Sequence, residues 1–402
     1  MSRNTSIGEL AALGALQFGD GYRTKRSEHG QPGYRIIRVA DVMDDAVSFE
    51  GPDFVSADYV RAIGTKLGHP GDILLTTKGT VGRVAVLPET GEQVVYSPQL
   101  CYFRVLDSDV ITPRFLRYWF SSQEFWLQAA DRMNNTDMAA YINLADIRSL
   151  KMTLPSIHNQ QAIAEVLGAL DDKIAANTKL VQTSAALTQA MFSSAVATSS
   201  EESVLSEITE LLSRGITPKY SDDNDATVIL NQKCVRGQRV DLDPARRTLS
   251  VKVREDKLLK LDDVLVNSTG QGTLGRVARW THHENVTVDS HITIVRFDRN
   301  KVDPVCAGVG LLGLQQTIIE MGEGSTGQTE LSRVELGKLR IRLPDFETQR
   351  ALGRRFASMA NMERINFEEN RRLAATRDAL LPQLMSGKLR VREGETLVAA
   401  AV

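Results

Sequence analysis

Few residues in this chain have the type and spacing to do covalent chemistry. His282 and His283 could bind a metal, but they are adjacent in a turn-like stretch, and a helical zinc site needs imidazoles four residues apart on one face. They read as loop residues. Gly19 with Gly21, and Gly79 with Gly82, could cradle phosphate. Neither group has the Gly-x4-Gly-Lys-Ser/Thr loop, or a Gly-x-Gly-x-x-Gly turn between a strand and a helix, so both read as turns. GQGTLG, from Gly270, has closer spacing but stands between two expected strands, with no helix N-terminus to hold a pyrophosphate. No Gly-x-Ser-x-Gly elbow offers a serine nucleophile. Asp72, and Asp262 with Asp263, open expected strands at matching places in the two halves, which reads as a shared turn more than an acid/base pair. Cys101, Cys234 and Cys306 lie too far apart for a zinc site or a disulfide framework and read as buried, reduced thiols. A catalytic centre is needed once, whereas the distinctive features here occur twice, which favours bivalent recognition over catalysis.

The elements that hold these residues repeat along the whole chain. LPSIHNQQAIAEVL, from Leu154, and LPDFETQRALGRRF, from Leu343, share Leu-Pro, a Gln five residues after the Pro (Gln160, Gln349) and then a helical apolar pattern. GDILLTTKGTVGRVAVL, from Gly71, matches DDVLVNSTGQGTLGRVARW, from Asp262, with two extra residues in the second turn. Both read as strand, Gly-rich turn, strand. VYSPQLCYFRV, from Val95, matches VDSHITIVRF, from Val288, aligning Arg104 with Arg296. Their alternating apolar residues predict strands.

Each half is therefore a strand-rich unit of about 150 residues, then a short strand ending at Pro155 or Pro344, then a long helix. In the first helix Ile163, Leu167, Leu170, Ile174, Asn177, Val181, Ser184, Thr188 and Met191 alternate spacings of four and three, the seam of a coiled coil. Helix from Ile157 to Ser194 would reach roughly 57 Å at about 1.5 Å per residue, more than one compact domain needs. In the second helix Leu352, Phe356, Met359, Leu373 and Leu380 hold seam positions, interrupted by Glu363, Asn366 and Asn370. Asn177 and Asn366 share the repeat offset, and polar seam residues set register at a cost in stability. The expected fold is a duplicated α/β (α+β) chain, with two strand-rich domains separated by two long helices paired as an antiparallel coiled-coil spacer. The expected boundaries are 1–153 and 199–342 for the strand-rich domains, 154–198 for the central helix and 343–402 for the second helix and tail. SSAVATSSEESV, from Ser193, reads as a linker with its break at 197–203, and the residues after Arg392 as a frayed or loosely docked end.

Composition narrows the class. The 402 residues are 42% apolar and 24% charged, an ordinary globular mix that excludes wholesale disorder. No apolar run approaches the roughly 18 residues of a membrane span and no signal-peptide core follows Met1, so a cytoplasmic location without membrane attachment is expected. Net charge is −2, with 48 basic against 50 acidic side chains, so any nucleic-acid surface must come from local clustering.

The segment LPSIHNQQAIAEVLGALDDKIAANTKL, from Leu154, is very similar to the central conserved region of type I restriction-modification specificity (S) subunits. RDALLPQLMSGKLRV, from Arg377, is similar to the end of that family's distal conserved region, and the resemblance covers essentially the whole chain. It implies two target-recognition domains, each reading one half of a bipartite double-stranded DNA site, with long helices as a ruler. The subunit would be non-catalytic, and would dock two methyltransferase (modification) subunits and, in the full complex, two restriction-translocase subunits. S-adenosylmethionine would belong to the methyltransferase, and ATP and Mg to the restriction partner. Consistently, no Asn/Asp-Pro-Pro-aromatic methyltransferase motif and no Walker loop occurs. Host defence and DNA methylation would be the setting.

Under that resemblance, candidate DNA contacts are Tyr22, Arg23, Lys25 and Arg26 in YRTKR, and Lys78, Thr80 and Arg83 in the first Gly-rich turn. In the second half they are Lys219 beside Tyr220, and Asn267, Ser268, Thr269, Gln271 and Arg276 in the matching turn. Arg can grip guanine O6 and N7, Asn or Gln can grip adenine, and Lys or hydroxyls can hold phosphate. Gln160, Leu170, Ile174, Asn177, Gln349, Phe356 and Asn366 are the candidates for spacer pairing and partner docking. The competing reading is a duplicated protein-interaction scaffold without sequence-specific DNA binding.

Overall fold

In the computed structural model, which describes residues 3–133, 140–223, 225–323 and 330–401, the repeat read from the sequence is a repeat of strand order. The first half carries β1 (Arg3–Ser6), β2 (Leu16–Asp20), β3 (Gly33–Ile37), β4 (Val42–Met43), β5 (Ala46–Val47), β6 (Phe54–Ser56), β7 (Ile73–Thr76), β8 (Val84–Val86), β9 (Val94–Tyr96), β10 (Leu100–Val105) and β11 (Lys151–Leu154). They form an antiparallel sheet β2-β10-β7-β8, a mixed sheet β6-β3-β9, and the pairs β4-β5 and β1-β11. The second half carries β12 (Glu201–Val204), β13 (Thr209–Arg214), β14 (Thr227–Leu230), β15 (Val235–Arg236), β16 (Arg239–Val240), β17 (Arg246–Thr248), β18 (Val264–Asn267), β19 (Val277–Arg279), β20 (Val286–Val288), β21 (Ile292–Phe297) and β22 (Arg340–Leu343). Their orders, β13-β21-β18-β19, β17-β14-β20, β15-β16 and β12-β22, copy the first set strand for strand.

The central strands are continuously apolar because they are covered on both faces. Along β7, Ile73 and Leu75 pack with Phe115 and Trp119 of the helical layer, while Leu74 between them packs with Ile37 and Tyr96 on the other face. Along β18, Val264 and Val266 face the helices and Leu265 faces Leu230 and Val288. This two-residue alternation puts each four-stranded sheet between two cores.

The helical layers differ between the halves. Helix Pro113–Phe120, capped by Thr112, and helix Gln123–Arg132, capped by Ser122, stack Trp119, Phe120 and Phe125 edge-on at 5.2–5.4 Å. Their counterparts Pro304–Gly313 and Gln315–Glu323 present Ala307, Gly308 and Gly310 instead. A Cβ on Gly310 would come within 2.7 Å of the Phe192 ring, so here an aromatic from the long helix fills the space.

The long helices span Ile157–Thr198 and Phe346–Met385. The first outruns the expected end at Ser194. The supposed linker is helical as far as Thr198, because Phe192 is buried in the second core and Ala195 and Val196 pack against it, and its end, Glu201–Val204, is β12. Chain contacts divide the molecule elsewhere than at 197–203: one unit is Met1–Ala175 with Arg371–Val402, the other Ala176–Asn370. The helices are thus shared out between the two units, not a separate domain.

Each unit contains its own antiparallel helix pairing. In the first, Ile163, Val166, Leu167 and Leu170 share a core with Leu373, Leu380, Leu381 and Leu384, and Arg377 donates to Asp171 at 2.8 Å. In the second, Asn177 meets Asn370, Thr188 meets Met359, and Phe192 shares a core with Phe356 and Leu352. Of the two expectations for the tail, frayed or loosely docked, the structure shows docking: it is helical over Val391–Ala401, with Val398 buried in the first unit's core. No single helix among the described residues is long and apolar enough to cross a membrane, and the bent apolar pair Pro304–Gly313 and Gln315–Gly322 lines the second core.

Candidate nucleic-acid interface

In the first unit β7 and β8 hold a turn closed by the backbone and by Thr76. Thr76 N–H donates to Arg83 O at 3.0 Å, Arg83 N–H donates to Thr76 Oγ1 at 2.9 Å, and Gly82 N–H donates to Thr76 O at 2.9 Å. Gly82 has φ +99°, and a Cβ there would lie 1.9 Å from the Trp126 ring, so only glycine fits. Lys78 and Thr80 are left exposed at the tip. Arg83 is half-buried and turned back, its guanidinium donating to Val42 O at 3.3 Å.

The second turn uses Gly275 where the first uses Gly82. Its φ is +76°, and a Cβ would meet the Ile319 backbone at 2.7 Å. Asn267, expected to read a base, is fully buried. Its amide donates to Gln232 O at 3.0 Å and Thr273 O at 3.2 Å, so it shapes the turn and faces no solvent. Ser268 is buried as well, sharing a 2.5 Å hydrogen bond with Thr293. Thr269 accepts from Gln232 Nε2 at its carbonyl (2.7 Å) and hydroxyl (2.6 Å), and its hydroxyl lies 2.7 Å from His291 Nδ1. Arg276 donates to Gly272 O at 2.8 Å. Gln271 alone of this set is exposed at the tip.

In YRTKR, Arg23, Lys25 and Arg26 are exposed, whereas Tyr22 is half-buried against the Tyr34, Ile36 and Val55 cluster. Burial and the neighbouring Glu28 push its phenol above the ordinary range. Lys219 is exposed, and its backbone is fastened to β17: its N–H donates to Thr248 Oγ1 at 3.0 Å, and Thr248 Oγ1 donates to its carbonyl at 3.1 Å.

Behind each turn stands a buried ion pair. Arg104 donates to Asp72 through Nε (2.7 Å) and a terminal nitrogen (2.6 Å), and to Leu67 O at 2.8 Å. Arg296 does the same to Asp263 at 2.8 and 2.7 Å, and to Leu258 O at 2.8 Å. The carboxylates also accept from His69 N–H and Lys260 N–H. The aspartates do open a shared turn, and the aligned arginines are their partners. Burial holds the Asp263 carboxyl above its usual range against the opposing pull of Arg296. This saturated pair fastens the central strands and offers no free acid or base.

The spacer candidates sort in the same way. Gln160 and Gln349 are buried and satisfied within the chain, which takes them out of partner docking. Gln160 accepts from Thr112 N–H (3.0 Å) and donates to Val110 O (3.1 Å) and Pro155 O (3.0 Å). Gln349 accepts from Asp303 N–H (3.0 Å) and donates to Pro344 O (2.7 Å). Leu170, Ile174 and Phe356 belong to the cores beneath the helices. Asn177 donates to Glu369 Oε2 at 2.6 Å and Asn370 Oδ1 at 2.9 Å, so its partners are Glu369 and Asn370 and not Asn366, which donates to its own helix at Met362 O.

Two clusters carried no sequence signal. Arg117 pairs with Asp45 beside Arg377, and burial pushes the Arg117 guanidinium down. Arg246 stands over the Tyr220 ring at 4.8 Å. The three cysteines are free and buried, and burial raises all three thiols, Cys234 to about 11 and Cys306 to about 12. Among the described residues no cluster of His, Cys, Asp or Glu could hold a metal. The geometry is that of two similar scaffolds displaying different polar side chains.

Comparison with known proteins agrees. The family model for the type I restriction modification DNA specificity domain matches residues 4–183. A protein provisionally named the MjaX type I restriction enzyme specificity subunit, from Methanocaldococcus jannaschii, is 20% identical over 397 residues, covering 92% of this chain and 90% of its own. The MjaVIII specificity subunit of the same organism is 25% identical over 154 residues, 37% of this chain and 36% of its own. In fold, the crystal structure of a type I restriction-modification S subunit from M. genitalium matches with a TM-score of 0.58 over 96% of both chains, at 14% identity.

Proposed function

We propose that the chain is a type I restriction-modification specificity subunit, as its similarities suggest, and that each unit reads one half of a bipartite, asymmetric site on double-stranded DNA. The observation that carries this reading is the strand-for-strand repeat with divergent turn tips: one scaffold used twice with different exposed side chains suits two different half-sites. The contacts left available are Arg23, Lys25, Arg26, Lys78 and Thr80 in the first unit and Lys219 and Gln271 in the second. Lys and Thr suit phosphate, while Arg and Gln suit base edges. The helix pair sets the gap between half-sites, and its outward surface docks two methyltransferase subunits and, in the full complex, two restriction-translocase subunits.

The chemistry then lies in those partners. The methyltransferase brings S-adenosylmethionine and receives a flipped adenine, and the restriction subunit uses ATP and Mg. With a net charge of −2, tight binding draws on basic surface in the methyltransferase, and the assembly works in the cytoplasm. The test is to express the chain with its cognate methyltransferase in a methylation-free host and map methylated adenines by long-read sequencing. A new bipartite motif that needs both proteins is the expected result. Absence of new methylation from a stable co-purified complex would overturn the reading, as would DNA affinity that is insensitive to salt.

A further inference from the structure

The β17 edge of the second unit holds a basic-aromatic surface that no turn motif announces. Tyr220 is 52% exposed, and the Arg246 guanidinium carbon sits 4.8 Å from its ring centroid. Arg246 is itself exposed and makes no ion pair among the described residues. The segment carrying Tyr220 is fixed to β17 by the Lys219 backbone bonds to Thr248, by Leu249 N–H donating to Lys219 O at 3.0 Å, and by Ser221 N–H donating to Arg247 O at 3.2 Å. Beside the pair opens a cavity of about 600 Å³ lined by Tyr220, Asp222, Val228, Leu242, Arg246 and Arg247. Arg247 is occupied, donating to Ala226 O, and Asp222 is the one carboxylate in the lining.

The first unit has no such surface at the same place. There β6 pairs with β3 as β17 pairs with β14, with Val55 opposite Tyr34 where Thr248 stands opposite Thr227. Two residues before, Arg246 is matched by Asp53, whose carboxylate is already paired with Arg38 and His29. One scaffold position thus carries a neutralised acid in one unit and an uncompensated, braced guanidinium in the other.

We propose that Arg246, held over Tyr220, reads a guanine in the half-site of the second unit. A guanidinium offers two parallel N–H donors matched to guanine O6 and N7, and stacking on an aromatic ring restricts its rotamers before DNA arrives. Fixed orientation is what a base contact requires and a phosphate contact does not. This inference rests on the DNA-reading function above.

The test repeats the methylation mapping with wild-type chain, Arg246→Ala, Arg246→Lys and Tyr220→Ala, each with the cognate methyltransferase. The expected wild-type motif contains a G·C pair in one half-site. Arg246→Ala and Arg246→Lys should relax that position by roughly 5- to 150-fold in discrimination and leave the other half-site unchanged, with Tyr220→Ala relaxing it less. The intact half-site controls for folding. An unchanged motif in Arg246→Ala would overturn the inference alone, and so would methylation reduced equally at all sites with full rescue by Arg246→Lys, the signature of a phosphate contact. A wild-type pair that methylates no bipartite site would remove the DNA-reading premise and the inference with it.

Discussion

Gln160 ties the strand-rich part of the first unit to the start of its long helix, and removing it should loosen that unit specifically. Its side chain is 1% exposed and makes three hydrogen bonds, to Thr112 N–H, Val110 O and Pro155 O. Gln160→Ala strands three backbone groups at about 1 kcal/mol each where water can enter, giving a loss of about 3 kcal/mol. The matching Gln349 makes two such bonds, so Gln349→Ala should cost about 2 kcal/mol. Native-state hydrogen exchange reads the two units separately. Protected amides in helix Pro113–Phe120 should exchange roughly 150-fold faster in Gln160→Ala, and those in helix Pro304–Gly313 roughly 30-fold faster in Gln349→Ala. Gln160→Glu keeps the acceptor for Thr112 but sets a carboxylate against two carbonyls. It should be worse than alanine at neutral pH and recover as acid protonates it. Acceleration below about 5-fold in Gln160→Ala, or an equal response in both units, would refute the idea that these glutamines are local locks.

Gly82→Ala should destabilise the first unit by several kcal/mol, because its Cβ would lie 1.9 Å from the edge of the Trp126 ring at a φ of +99°. Gly91→Ala, with no neighbour within 4 Å, should be near neutral, and equal melting temperatures for the two variants would contradict that geometry. Deleting 371–402 removes Leu373, Leu380, Leu381, Leu384 and Val398 from the core of the first unit while taking nothing from the second. Limited proteolysis should then degrade the N-terminal half first, and protection of that half with loss of 176–370 would contradict the division.

The central strands, the Gly-rich turns between them and the coiled-coil seam were legible in the sequence because each rests on local periodicity or on a glycine with no alternative. Seam residues Asn177, Val181 and Ser184 are buried, and Leu180 and Leu187 beside them are exposed, as the four-three spacing requires. The orientation of polar side chains was not legible. Asn267 and Gln271 belong to one turn motif, yet the first is sealed beneath the backbone and the second points outward. What separates them is the Gln232 carbonyl, 35 residues away in the chain and brought in by tertiary packing. Arg246 had no signal at all, since its ring partner lies on another segment. Small, polar residues after Ser193 read as a linker because the core that anchors their helix through Phe192 is built from residues distant in the chain, such as Gly310 and Ile341.

The same long-range closure decides how the units are threaded. The second is one continuous stretch, Ala176–Asn370, while the first is completed only by Arg371–Val402. Until those last residues emerge, Ile163, Val166, Leu167 and Leu170 lack Leu373, Leu380 and Leu384. An apolar seam left open in this way costs about 25 cal/mol for each Å² it exposes to water. The inner unit can therefore fold while the outer one waits, although the outer one begins the chain. Helix Phe346–Met385 contributes to both units, with Leu352 and Phe356 in the core of the second and Leu373, Leu380 and Leu384 in the core of the first. A register error in that helix would disturb both cores at once. Within the second unit, the hydrogen bonds from Asn177 to Asn370 and Glu369 penalise such a slip by leaving a buried amide unsatisfied.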